Sequence, residues 1–297
     1  MEDPVLAGSK KTDPIAGTSS VDVQRVRAGH VERGQDSLAI EEPLEIRVSY
    51  VVDGRRRTDS LYVTMRTPGR DLDLAAGFLF TEQVIQSPGE IKNISHCVPA
   101  GALGAACNTV RVDLVDGVDF NLDRLQRNFY ASSSCGVCGK TSLEALEINS
   151  APRVPDNGFR VAESIVHSLP DLLNASQPVF RQTGGLHAAA LFDDQGTLAG
   201  CAEDVGRHNA VDKVIGTELR GGRVPISDRL LLVSGRSSFE ILQKALAAQI
   251  PIVAAVGPPS SLALDLAKRF GITLLGFVRE GRFNIYAGAE RIAAGDG

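Results

Sequence analysis

Cysteine spacing is the feature of this sequence that points most directly to chemistry. Five cysteines occur in 297 residues, and Cys135 and Cys138 alone have Cys-x-x-Cys spacing. An odd number of cysteines in a chain of this length does not predict a disulfide framework. Four interpretations of the pair are open: half of a zinc site, a thioredoxin-like redox dithiol, a nucleophile that carries sulfur, or two loop cysteines without chemistry.

The residues around the pair bear on these alternatives. A structural zinc ion needs two further ligands, and the chain has no second Cys-x-x-Cys. A thioredoxin-like dithiol opens a helix directly after a strand, whereas a Ser-rich stretch precedes Cys135. A thiolate on an exposed loop can accept sulfane sulfur as a persulfide and release it, and nearby positive charge favours the thiolate. Lys140, and a helix start indicated by Thr141 and Glu144, supply such charge. The pair alone does not decide between the interpretations.

Polar groups also stand at the ends of predicted strands. His187 follows two glycines at the mouth of a buried strand, and residues 203–213 are dense in ionisable groups around a helix start. Residues 234–238 and 257–261 each lie between a strand and a helix, where backbone amides can bind phosphate. A hydrogen-bonded turn histidine, a solvated helix start and ordinary Gly/Ser-rich corners are the alternatives for these positions.

The elements that must position these groups fall into two units. Residues 1–37 show little periodicity and predict a disordered tail. Residues 38–130 predict an N-terminal α+β domain, and residues 131–150 a mobile loop that carries the Cys-x-x-Cys pair, with the helix that follows. The N-terminal domain should contain a hairpin of strands 44–48 and 61–65, a helix at 71–80 and a strand at 109–114.

Residues 151–297 change to an alternation of apolar strands and helical patterns. Such alternation predicts an α/β layer with a largely parallel sheet. The predicted strands are 186–192, 230–233, 252–256 and 273–278, and the predicted helices are 209–215, 239–248 and 262–270.

Taken together, these motifs resemble the FdhD family, the formate dehydrogenase accessory sulfurtransferases. The likeness extends over nearly the whole chain beyond the tail, and its matching stretches are 66–69, 135–139, 187–190, 203–208 and 276–282. The resemblance implies that residues 151–297 form a cytidine-deaminase-like three-layer α/β domain. Zinc deaminase chemistry is not expected, because the Cys-x-x-Cys pair follows Ser134 instead of proline and comes before Cys201-Ala202-Glu203.

The resemblance further implies a sulfurtransferase that works through a persulfide. A cysteine desulfurase would load sulfur onto Cys135, with Cys138 assisting. The sulfur would pass to the metal of a bis(molybdopterin guanine dinucleotide) cofactor, bound as a substrate, which then goes to formate dehydrogenase. A homodimer without a tightly bound metal of its own is expected. The alternative is a non-catalytic chaperone that binds the molybdenum cofactor for formate dehydrogenase.

The cofactor-binding stretch of the family maps near the C-terminus. Its arginines could pair with phosphate or read a guanine edge. The stretch comprises Phe277, Val278, Arg279, Glu280, Gly281 and Arg282.

Composition restricts the location and the partners. A net charge of −5 and a pI of about 5.6 argue against a nucleic-acid partner. No apolar run approaches the roughly 20 residues that a membrane span needs. The N-terminus lacks the apolar core of a signal peptide, so we expect a cytoplasmic protein without membrane attachment.

Overall fold

The computed structural model describes residues 16–97, 107–118, 120 and 152–294. In the N-terminal half, a four-stranded sheet has the order β4-β3-β6-β5 and is preceded by a separate two-stranded hairpin, β1–β2. The elements are β1 (Thr18–Arg27), β2 (His30–Ala39), β3 (Glu42–Val52), β4 (Arg55–Arg66), α1 (Asp71–Thr81), β5 (Ile91–His96) and β6 (Thr109–Leu114). Asp53-Gly54 turns β3 into β4, which confirms the predicted hairpin.

The hairpin β1–β2 corrects the expectation of a disordered tail for residues 18–37, while residues 1–15 of that predicted tail lie outside the described residues. The ten residues of β1 pair in register with β2, from Thr18 opposite Ala39 to Arg27 opposite His30. Most of its side chains are exposed on both faces. The ribbon therefore lacks the apolar alternation that predicts a half-buried strand, and sequence periodicity missed it.

A six-stranded sheet forms the C-terminal half, in the order β13-β12-β11-β10-β8-β9. Its strands are β8 (His187–Phe192), β9 (Leu198–Asp204), β10 (Leu230–Val233), β11 (Ile252–Ala255), β12 (Thr273–Arg279) and β13 (Arg282–Ala287). Only β10, β11 and β12 run parallel, whereas β8, β9 and β13 pair antiparallel with their neighbours. The prediction of a largely parallel sheet therefore holds for its centre.

Helices cover both faces of this sheet. They are α2 (Glu163–Ala175), α3 (Pro178–Thr183), α4 (Arg207–Arg220), α5 (Phe239–Ala247) and α6 (Ser261–Phe270). Alternate residues of each central strand join different cores: Leu231 and Val253 pack with α4 to α6, and Leu232 and Ala254 pack with α2. The expected three-layer α/β arrangement is confirmed. A short parallel pair, β7 (Val161–Ala162) with β14 (Ile292–Ala293), lies outside the main sheet.

Helix α1 joins the two halves by packing against α4. The helices cross where Gly77 faces Gly216, and a Cβ on Gly77 would overlap the carbonyl oxygen of Asp212 and lie 2.9 Å from the Gly216 nitrogen. One hydrophobic core accordingly contains side chains from both halves, such as Leu79 of α1 and Val214 of α4. The predicted loop and helix at 131–150 lie outside the described residues.

Candidate functional site

The polar motifs of the C-terminal half lie together at the edge of the six-stranded sheet formed by the carboxyl ends of its parallel strands. The parallel strands β10, β11 and β12 end there, and the antiparallel β8 begins there. His187 at the start of β8 lies beside Gly235, where an added Cβ would be 3.5 Å from its Nδ1. The Gly257 amide donates to the Gly235 carbonyl at 3.0 Å, and the Phe277 amide donates to the Gly257 carbonyl at 3.1 Å. The His187 side chain and these backbone hydrogen bonds thus connect the ends of four strands, as expected for a ligand-binding edge of an α/β sheet.

The β12–β13 hairpin carries all six residues of the predicted cofactor-binding stretch. Val278 is fully buried, whereas Phe277 is 36% exposed in a β-bulge with a φ of 54°. A left-handed backbone is a genuine outlier for an aromatic residue and is frequent at functional sites. Arg279 and Arg282 are cross-strand partners, and Glu280 and Gly281 form the turn between them. Both arginines are exposed and on the same hairpin tip.

Two helices begin next to this hairpin. Ser260 accepts a hydrogen bond from the Ala263 amide at 3.2 Å and caps α6. Ser238 precedes α5, and its hydroxyl lies 3.3 Å from His208 Nε2 instead of capping the helix. The free amides and dipoles of two helix starts favour an anion at this edge.

Two buried polar atoms of the same motifs lack a hydrogen-bond partner among the described residues. Ser237 is fully buried with its Oγ unpaired, and Arg207 Nε is shielded from solvent without a partner. Buried polar groups are paired in most proteins, so unpaired ones at this edge of the sheet are typical of a site completed by a ligand. Their donors fit a phosphate-bearing molecule.

The two histidines at this edge are held neutral. Burial, and then the charge of Arg207, lower the pKa of His187. Burial, and then the charges of Lys244 and Arg207, lower the pKa of His208 to about 4. Neutral imidazoles can accept as well as donate hydrogen bonds at neutral pH.

A buried ion pair fastens the start of α4 to the N-terminal half. Asp204 lies 2.7 Å from Lys213 Nζ, and its carboxylate also accepts hydrogen bonds from the amides of Gly206 and Thr67. Lys213 Nζ donates to the Thr67 carbonyl at 2.8 Å. The neighbouring Arg66 forms a bidentate pair with Asp71 at 3.0 Å. The motifs at 66–69 and 203–208 are therefore parts of one buried polar network.

A second buried network joins helices α1, α4 and α5. Lys244 lies 3.0 Å from Asp212 and 3.0 Å from Glu82, and Thr81 donates to Asp212 at 2.7 Å. Burial raises the pKa of Asp212 to about 6, against the lowering effect of Lys244. Burial acts to lower the pKa of Lys244, and the two carboxylates outweigh it and raise that pKa.

Comparison with known proteins identifies the family. A profile described as the FdhD/NarQ family matches residues 39–293. The chain belongs to the FdhD/NarQ family. Among its relatives, the "Sulfur carrier protein FdhD" of Streptomyces avermitilis is 49% identical over 273 residues, covering 91% of this chain and 94% of the relative. The protein of the same name from Mycobacterium tuberculosis is 45% identical, covering 91% of this chain and 96% of the relative.

A solved structure matches the FdhD/NarQ fold described above. It is the crystal structure of a protein from Desulfotalea psychrophila assigned as a formate dehydrogenase accessory protein. The TM-score is 0.70 at 28% identity, with 93% of this chain and 99% of the other covered. The match confirms the expected family and its α/β fold.

Some of the site residues predicted from the FdhD/NarQ motifs lie together in the structure. It brings His187, the two loops after β10 and β11, and the 277–282 hairpin to one edge, whereas Cys135 and Cys138 lie outside the described residues. Within the described ranges no group of three or more His, Cys, Asp or Glu side chains could hold a metal ion. In the same part of the chain no helix is long and apolar enough to cross a bilayer.

Sequence reasoning missed one feature of the N-terminal sheet. Cys97, directly after β5, and Cys107, two residues before β6, meet at the end of these antiparallel strands. Their ten-residue separation is not a recognised ligand or redox spacing, so only the strand pairing could have indicated the contact.

Proposed function

We propose that this protein is a cytoplasmic sulfurtransferase. It accepts persulfide sulfur from a cysteine desulfurase on Cys135 and transfers it to the bis(molybdopterin guanine dinucleotide) cofactor of formate dehydrogenase, acting as a homodimer. The relatives named as sulfur carriers support the sulfur chemistry. The observation that carries the choice of acceptor is the exposed Arg279–Arg282 hairpin at a sheet edge with two helix starts.

Loading is a thiol–persulfide exchange. The Cys135 thiolate attacks the outer sulfur of the desulfurase persulfide, and the sulfur–sulfur bond of the donor breaks. The donor cysteine leaves as a thiolate and Cys135 becomes the persulfide. No net oxidation occurs, because one sulfane sulfur has only changed carrier.

Delivery requires two electrons, since the cofactor receives sulfide. The Cys138 thiolate supplies them by attacking the inner sulfur of the Cys135 persulfide. The outer sulfur leaves as hydrosulfide toward the metal of the bound cofactor, and a Cys135–Cys138 disulfide remains. A low-molecular-weight thiol then reduces this disulfide and restores both cysteines.

The sheet edge suits a guanine dinucleotide as the part of the acceptor that is held. Arg279 and Arg282 can form bidentate hydrogen bonds with phosphate or with the O6 and N7 edge of guanine. The helix starts after Ser238 and Ser260 place amide dipoles toward an anion. The protein as a whole carries a charge of −5, so these groups are a local exception that favours a specific polyanion.

Intact-protein mass spectrometry after incubation with a cysteine desulfurase and cysteine tests the proposal. The wild type should gain about 32 Da, one sulfur atom, and Cys135→Ala should gain nothing. Cys201→Ala is the matched control, because burial raises the pKa of Cys201 to about 11 and leaves little thiolate to react. This control should be loaded like the wild type.

The cofactor chaperone is the alternative that the same variants distinguish. If Cys135→Ala restores formate dehydrogenase activity as fully as the wild type in a strain lacking the protein, sulfur transfer through Cys135 is wrong. In that case the chaperone function would explain the activity, and cofactor binding would still require Arg279 and Arg282.

A further inference from the structure

Cys97 and Cys107 form a close thiol contact in the N-terminal sheet. Cys107 donates from its Sγ to the Cys97 carbonyl oxygen at 2.8 Å. The Cys97 amide in turn donates to the Thr109 carbonyl at 2.8 Å, which continues the pairing of β5 with β6 by one residue. Both cysteines are partly buried and reduced. The strand ladder thus fixes Cys97, and the hydrogen bond from the Cys107 thiol to the Cys97 carbonyl holds Cys107 against it.

This geometry is compatible with a disulfide. The carbonyl oxygen of a residue lies about 2.4 Å from its own Cα, so Cys107 Sγ is at most about 5 Å from the Cα of Cys97. The Cys107 sulfur lies about 2.8 Å from its own Cα, so the two Cα atoms are at most about 8 Å apart, and disulfides join Cα atoms about 4.4–6.8 Å apart. Closing the disulfide therefore takes rotation of the two side chains and a backbone shift of at most about 1 Å beside the ends of β5 and β6.

A cation stands near the first of these thiols. Arg47 lies on β3, which pairs with the opposite side of β6. The hydrogen bond and charge of Glu45 raise the pKa of Arg47, and the charge of Cys97 adds to the same effect. The interaction with Arg47 is the feature that distinguishes Cys97 from Cys107, and it marks Cys97 as the first thiol of the pair to react.

We propose that Cys97 and Cys107 are a second reactive dithiol, separate from Cys135 and Cys138, which hydroperoxides oxidise to an intramolecular disulfide. The Cys97 thiolate attacks the peroxide oxygen, the O–O bond breaks, and Cys97 becomes a sulfenic acid while an alcohol or water leaves. The Cys107 thiol then attacks the Cys97 sulfur and expels water. Two thiols lose two electrons, and the peroxide gains them.

The surroundings explain why this pair, and not Cys201, takes the modification. The Cys201 sulfur donates to the Ser176 carbonyl, and burial together with Glu203 raises its pKa to about 11. No other cysteine stands close to Cys201 in the described part of the chain to complete a disulfide. Cys97 has both a neighbouring cation and a resolving thiol.

Tryptic peptide mapping of the full-length wild type tests the proposal, because cleavage after lysine and arginine separates the three sets of cysteines. Cys97 and Cys107 share peptide 93–111, Cys135 and Cys138 share peptide 128–140, and Cys201 is in peptide 182–207. The reduced protein is treated with hydrogen peroxide, and the remaining thiols are blocked with N-ethylmaleimide before digestion. Peptide 93–111 should become about 2 Da lighter than its reduced, unblocked form in most molecules, and dithiothreitol should reverse the change.

The single-cysteine variants assign the order of events. Cys107→Ser should stop at a Cys97 sulfenic acid, about 16 Da heavier and trapped by dimedone, whereas Cys97→Ser should show neither product. Peptide 128–140 serves as the internal reference for oxidation. The proposal would be overturned if peroxide formed the Cys135–Cys138 disulfide in that peptide while peptide 93–111 of the same sample still carried two maleimides. A disulfide between two molecules at Cys97 or Cys107 would overturn it as well. None of these readouts requires sulfur transfer, so the proposed function is tested separately.

Discussion

Lys213 Nζ lies 2.7 Å from Asp204 Oδ2, with both side chains almost completely removed from solvent. The same ammonium donates to the carbonyl of Thr67, which is 146 residues away along the chain. The ion pair therefore holds the end of β9 and helix α4 against Thr67, the residue that follows β4 in the N-terminal half. His187 is the cross-strand partner of Asp204, so this support lies directly behind the candidate site.

Asp204→Asn should destabilise the protein strongly. The substitution keeps the shape of the side chain but leaves the Lys213 charge buried without its partner, which typically costs about 3–5 kcal/mol. The free energy of unfolding from urea denaturation measures this loss. Asp228→Asn is the control, since the ion pair of Asp228 with Arg229 is exposed and should contribute less than about 1 kcal/mol. If both variants lost the same free energy of unfolding, the buried ion pair would contribute no more to stability than the exposed one.

The parts of the fold that sequence predicted well are those with strong apolar periodicity. Strands β10 and β11 are four-residue apolar runs, buried throughout, and their predicted limits agree with the structure to within one residue. Helix α2 was missed because Pro170 interrupts a pattern that otherwise has a helical period. Strand β9 was missed because its small residues and exposed start give no clear alternation.

For the candidate site, sequence predicted the loops that follow strands but not the buried contacts behind them. Local spacing was enough to place the loops at 234–238 and 257–261, because a strand followed by a helix fixes where such a loop lies. The Asp204–Thr67 contact spans 137 residues and depends on the packing of α1 against α4. No local pattern encodes such a contact, so the buried networks behind the site could be found only in the structure.

Gly77→Ala should destabilise the α1–α4 crossing. The new methyl group would overlap the Asp212 carbonyl, so the helices must separate, and the cost should exceed about 3 kcal/mol despite the gain of about 1 kcal/mol in helix propensity. Thermal unfolding followed by circular dichroism measures it. Gly200→Ala is the control, because a Cβ there meets no heavy atom within 4 Å and its φ is not positive. A Tm for Gly77→Ala equal to that of the control would contradict the close crossing.

His208→Gln should reduce the loss of stability in acid. The pKa of His208 is about 4 in the folded state, below the roughly 6.5 of an unfolded histidine, so the unfolded state binds more protons between these values. Stability from this group is present above pH 6.5 and is lost as the pH falls towards 4. Between pH 7 and pH 5 the wild type should lose about 1–2 kcal/mol more than the variant.

Urea unfolding at the two pH values measures that difference. Lys244 and Arg207 lower the pKa of His208, while Glu240 and Glu82 raise it, so the comparison is made between variants at each pH. His30→Gln, in the exposed β1–β2 hairpin, is the control and should keep the wild-type dependence. An unchanged pH dependence in His208→Gln would show that His208 titrates normally.

Arg279→Ala combined with Arg282→Ala should weaken the binding of guanosine diphosphate without unfolding the protein. Both side chains are exposed at a hairpin tip, so their loss removes charge-assisted hydrogen bonds to the nucleotide and little packing. Each such bond contributes about 1.5–3 kcal/mol, so the Kd should rise at least tenfold, by about 1.4 kcal/mol or more. Isothermal titration calorimetry at two salt concentrations measures the affinity, and its salt dependence should fall together with the charge.

The matched control removes two arginines from the opposite edge of the same sheet. Arg229 directly precedes β10, and Arg223 pairs with Glu218 near the end of α4. Arg223→Ala combined with Arg229→Ala changes the net charge by the same amount, so a general electrostatic effect would weaken binding equally in both double variants. Selective loss in the 279/282 variant places the nucleotide at the carboxyl edge of the sheet. Unchanged affinity in that variant would move the pocket away from the β12–β13 hairpin and would remove the main structural support for a guanine dinucleotide acceptor.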